Sequence, residues 1–288
     1  ASSQGGNFLV FSGKTTSRSG SVSISAGSSH LLTGGHTRIN SGQSSSSTSG
    51  SVLISTGRAM STGSSGAIKL SSGISKEGNS GSINVRSGDS VKESGAIKIE
   101  VGSSTASQSG SIIFNVGGSA SNGAGGNIYL QAGMSNERGG DVGIYAGSSS
   151  TSDGGKLDIR SGSSETHTSG TVRIESGATH GGDSGDLSIS TGTSSEQRSG
   201  ALDISTGTAA TQNSGAIKLI TGHSMNGVTG QIVISAGDSI HNTGGSVHIL
   251  SGHSTKQSSG SITIQTANSG PQGSSGHVNI GSGSASSG

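Results

Sequence analysis

A chain of 288 residues with 55 Gly, no Cys, no Trp and only 26% hydrophobic residues cannot assemble a conventional globular core, since Gly ordinarily makes up about 7% of a protein. Its 16 basic and 15 acidic residues are spread evenly and leave a net charge of +1, which excludes the basic stripe of a nucleic-acid-binding protein. The missing Cys exclude a disulfide scaffold and a thiolate metal centre. No apolar run is long enough to insert into a membrane, and collagen is excluded because Gly does not recur at every third residue.

Self-similarity is the dominant feature. Taking one Gly as position zero, units begin at Gly6, Gly20, Gly35, Gly50, Gly66, Gly81, Gly95, Gly110, Gly126, Gly140, Gly155, Gly170, Gly185, Gly200, Gly215, Gly230, Gly245, Gly260 and Gly276. Most steps are 15 residues, and the nineteenth unit is incomplete. Position two is aliphatic or aromatic except at Thr37, and position four is apolar throughout, from Val10 and Ile24 to Phe114 and Ile280. Position six is small or β-branched, as at Ala26, Thr56 and Val101. Position seven is Gly except at Ala267, and position nine is usually Ser, Ala or Thr. A linker selected only for polarity has no reason to keep two apolar residues in phase over nineteen units.

The apolar positions two and four alternate with mostly polar positions one, three and five. That is the period of a strand with one buried face, and its Ile and Val are strand-favouring residues. Gly at position seven is expected to end the strand and allow a corner. The length changes fall at positions ten to thirteen, which marks an edge loop. Two large side chains per unit cannot order a unit alone, so stacking of units is required. The expected fold is therefore all-β: a single β-solenoid of about nineteen 15-residue coils, with parallel stacked strands and no caps. At about 4.8 Å per coil the rod would be about 90 Å long. Residues 1–288 read as one continuous array without a cap at either end, which suggests a segment of a longer array.

In such a stack, equivalent positions of successive units become neighbours. Opposite charges are placed for this at Arg86 and Glu100, Asp141 and Lys156, Asp158 and Arg173, Arg160 and Glu175, and Asp203 and Lys218. Large apolar residues on the outward positions are the candidate assembly contacts. Ile113, Tyr129 and Tyr145 lie in three successive units, and Ile220, Val233 and Leu250 in three later ones.

A chemical site is not visible. The chain has no complete Gly-x-x-x-x-Gly-Lys-Ser/Thr phosphate loop, since Gly13-Lys14-Thr15 has Phe8 where the first Gly would stand, no dinucleotide fingerprint leading into a helix and no nucleophile elbow. His223, Asp238 and His253 share position eight of three successive units. A solvated column of alternating charge accounts for them better than a metal site, because they lack a closed ligand shell. The chain therefore reads as a non-enzyme without cofactor or metal. It has no Asn-x-Ser/Thr acceptor, so O-linked sugars on Ser and Thr are the modification to expect.

The repeated Ser-Gly-Ser-Ile-x-Ile-Ser-Thr-Gly pattern, seen with small variations at Ser49–Gly57 and Ser199–Gly207, resembles the Gly/Ser-rich β-solenoid repeats of microbial and algal surface proteins. The resemblance runs the length of the chain. It implies an extracellular or cell-surface location and a structural, self-assembling role, as in fibres, adhesins or mastigoneme-like appendages. It carries no catalytic residues. Fifteen-residue coils are also similar to those of insect and microbial ice-binding proteins, whose ice face is a flat array of outward Thr rows. Position three here reads Ser23, Arg38, Leu53, Lys69, Asn84 and Lys98, so that array is missing. A fibre-forming role is the first expectation; a surface adhesin or ice-binding rod is the alternative.

Overall fold

The computed structural model describes residues 5–120 and 123–285. The chain divides into two units, Ala1–Gly143 and Ile144–Gly288, with the boundary inside the repeat that begins at Gly140. In both units the same local pattern recurs. Positions one to nine run without a bend, and the chain turns at positions ten to thirteen, as at 30–32, 76–78, 165–167 and 255–257. The expected edge loop is therefore where the chain bends.

The expected β-solenoid is not formed. Among the described residues there is neither strand nor helix, hence no sheet and no stack of coils. The hydrogen bonds explain the difference. Nine necks are closed by the N–H of a position-zero Gly donating to the carbonyl of the Gly at position seven of the preceding unit, as from Gly35 to Gly27 (2.8 Å), Gly155 to Gly147 (2.8 Å) and Gly245 to Gly237 (2.9 Å). The longest such bond, Gly126 to Gly117, spans nine residues. A ladder between equivalent positions would need bonds spanning a full unit, and no backbone pair among the described residues makes one. Short closures lose less chain entropy than long ones, and the backbone bonds that form close a unit on itself and do not join it to the next.

Position six bears on whether a neck closes. It is Ser12, Ala26, Ser41, Ala132, Ala146, Ser161, Ala236 or Ser251 in eight of the nine closed necks, and Val116 in the ninth. With Thr at position six (Thr56, Thr191, Thr206, Thr221, Thr266) the bond is absent among the described residues. The reason is local. A Cβ built on Gly245 would lie 3.0 Å from the Ala236 Cβ and 3.3 Å from both the N and O of Gly237. A Cβ built on Gly215 meets the Thr206 methyl at 3.4 Å, and no backbone atom of Gly207 comes within 4 Å. The threonine methyl holds the two backbones apart. Ser72, Ser87 and Ser176 also leave their necks open, and nothing around them explains it.

Position nine supplies the bend's own acceptor. The Ser Oγ accepts the N–H three residues on at Ser29, Ser44, Ser75, Ser104, Ser149, Ser164, Ser194, Ser224, Ser239 and Ser254. Thr15, Ser90 and Ser135 accept from two residues on. These are the side-chain turns that Ser and Thr favour because a short hydroxyl can stand in for a backbone carbonyl. Ser87, Ala132, Ser224, Ala236 and Ser254, all at position six or nine, are the most covered of the described residues. The inside of the loops is thus lined mostly by small residues.

Candidate assembly surface

The odd positions share one face of each extended segment, as the alternation predicts. Lys98 pairs with Glu100 at 2.8 Å, Asp158 with Lys156 at 3.0 Å and Arg160 at 3.3 Å, and Arg173 with Glu175 at 2.8 Å. All are separated by two residues, a spacing that brings side chains together only in extended backbone. Asn84 donates to Ser82 and Asn127 to the Tyr129 Oη in the same way. The charge partners expected from stacked coils are therefore replaced. Arg86 pairs with Asp89 and Asp141 with Arg138, three residues away in each case, because the coils that would have joined Arg86 to Glu100 are not stacked. Each of these exposed pairs contributes about 1 kcal/mol or less.

The even positions carry the larger apolar surface. The alternation predicts that they are buried, and none of them is. Position two is about half exposed (Val172 53%, Ile217 54%), and position four somewhat more (Ile174 63%, Leu219 68%). The six outward residues are all open to solvent. Ile113 and Tyr129 lie in the first unit, and Tyr145, Ile220, Val233 and Leu250 in the second. The structure gathers none of the six under another part of the chain. The row that reasoning from a buried face missed as a surface is thus the even one, although the period-two signal that marks it is plain in the sequence.

The surface has no chemical centre among the described residues. There is no cavity and no group of three His, Asp or Glu residues that could hold a metal ion. His223, Asp238 and His253 are not brought together as ligands. No described helix is long and apolar enough to cross a membrane.

What the arrangement offers instead is repetition. Position seven is Gly in unit after unit, yet a Cβ there would meet nothing within 4 Å, as at Gly162, Gly192, Gly207 and Gly237, and no described Gly has a positive φ. Within one chain these positions have room for a side chain and no backbone reason to lack one. The extended segments, positions one to five, donate no backbone hydrogen bond to another backbone group among the described residues. No family model, no curated protein and no solved structure matches the chain.

Proposed function

We propose that this chain is a structural, filament-forming repeat protein of the extracellular space or cell surface, whose activity is self-association through its exposed apolar rows, and not an enzyme. The observation that carries the reading is the mismatch between pattern and burial. The accessible surface is 29,792 Å², whereas a folded monomer of this mass exposes about 11,000 Å². Isolated chains with large contiguous apolar surface associate. Apolar residues kept in phase at positions two and four, with polar ones between, are arranged to be covered from one side. The two rows have no cover within the described chain, and further copies of the chain would provide it. The exposed hydroxyls of the bends are the places for O-linked sugars, which would leave the extended segments free.

Electron microscopy and pelleting of the purified chain over a wide concentration range test this reading. Fibres or sheets with a regular repeat are the expected result. Dispersed single chains at every concentration would overturn it.

A further inference from the structure

We infer that neighbouring copies associate side by side, parallel and offset by one repeat, along the second unit, Ile144–Gly288. This rests on the self-association proposed above and specifies its geometry.

The period carries the first part of the argument. From Gly140 to Gly260 every step is 15 residues, whereas steps in the first unit vary between 14 and 16. Two copies displaced by one repeat keep every position aligned only where the period is constant. The second unit holds nearly all of the stretch that meets this condition.

Charge carries the second part. With no offset, two parallel copies would set each charged residue against its own twin, Arg173 against Arg173 and Glu175 against Glu175. Like charges directly opposite in paired extended segments destabilise the pairing. An offset of one repeat brings Arg160 of one copy to Glu175 of the next, Asp158 to Arg173, and Asp203 to Lys218. It creates no like-charged pair at positions one, three and five of this stretch. An offset of two brings Lys156 to Asp186 and Arg173 to Asp203, but sets Asp158, Arg160 and Glu175 against serines. Asp158, Arg160, Arg173 and Glu175 are exposed and pair within the chain only with residues two places away, so they can also reach a neighbour.

The backbone carries the third part. Extended segments side by side lie about 4.8 Å apart and satisfy each other's N–H and C=O groups. Those groups at positions one to five have no backbone partner within the described chain. Gly162, Gly192 and Gly207, with open space around them, let a second backbone come this close. The area requirement is met easily, because a stable association needs about 1,200–2,000 Å² and the chain exposes 29,792 Å².

Mixing two charge variants tests the proposal. Arg160→Glu places an acid against Glu175 of the neighbour, and Glu175→Arg places a base against Arg160. Each variant alone is expected to raise the concentration at which pelleting begins, on the order of fivefold. An equimolar mixture should return close to the wild-type value, because alternating copies pair opposite charges at both contacts. The acid introduced in one variant then faces the base introduced in the other, and the unchanged Arg160 faces the unchanged Glu175. If the wild-type chain assembles and the mixture stays as poor as its parts, the offset register is wrong while the filament reading stands. If single variants assemble as well as the wild type, the register is also wrong. If the wild type never assembles, both readings fall.

Discussion

Replacing Gly245 by Ala tests the closed neck most sharply. The Gly245 N–H donates to the Gly237 carbonyl at 2.9 Å. The added Cβ would stand 3.0 Å from the Ala236 Cβ, whereas carbon atoms settle about 3.5–4.0 Å apart. Relieving that contact requires a shift of about 0.5 Å, which stretches the bond past the range of about 2.7–3.2 Å in which N–H···O bonds are found. Losing one such bond is worth about 1 kcal/mol. The Gly245 N–H position should therefore exchange with solvent about five times faster in Gly245→Ala than in the wild type. The matching control is Gly237→Ala, on the acceptor residue of the same bond. Its Cβ would meet nothing within 4 Å, and neither Gly has a positive φ. There the substitution only narrows the unfolded ensemble, which favours the closed neck by about 0.4–1 kcal/mol. The two changes thus move protection of the same bond in opposite directions. Amide exchange followed by NMR on dispersed chains reads both, with Thr206→Ala expected to slow exchange at Gly215 by letting that neck close. Equal loss of protection in Gly237→Ala and Gly245→Ala would refute the steric account.

Two further outcomes follow from the local hydrogen bonds and from the exposure. Ser254→Ala removes the hydroxyl that accepts from Gln257 at 2.9 Å. Exchange at Gln257 should quicken a few-fold, on a loss of about 0.5–1 kcal/mol, while Ser254→Asp keeps an acceptor there and should hold the bend; identical exchange in the Ala and Asp variants would count against a capping role. Scanning calorimetry of dispersed chains should show no heat-capacity step, because that step measures apolar surface exposed on unfolding and no described residue is buried. A sharp endotherm with a large positive step at concentrations where the chain is a monomer would contradict the exposed state.

Much of the local structure was legible in the sequence. The alternation at positions one to five predicts that residues two apart share a face, and Arg173 and Glu175 meet that way. The variable segment at positions ten to thirteen is where the chain bends. The role of position nine was not legible as such. The preference for Ser, Ala or Thr there shows only that the residue is small, whereas Ser254 and its equivalents act through their hydroxyls. The size rule at position six was visible as a preference for small residues, but its meaning depends on Gly245 returning to within van der Waals reach of Ala236.

The sequence by itself determined the features that arise between residues a few places apart: the repeat, the two apolar rows, the bend and the face that the odd positions share. Each depends on backbone alternation and short-range hydrogen bonding, which a fifteen-residue period records directly. Only the tertiary structure decided that the apolar rows remain exposed and that no β-solenoid forms within the described chain. Burying them needs a neighbouring extended segment one full unit away, and the necks close over seven to nine residues instead. A period tells which residues face the same way. It does not tell whether the edge that should cover them comes from the next unit.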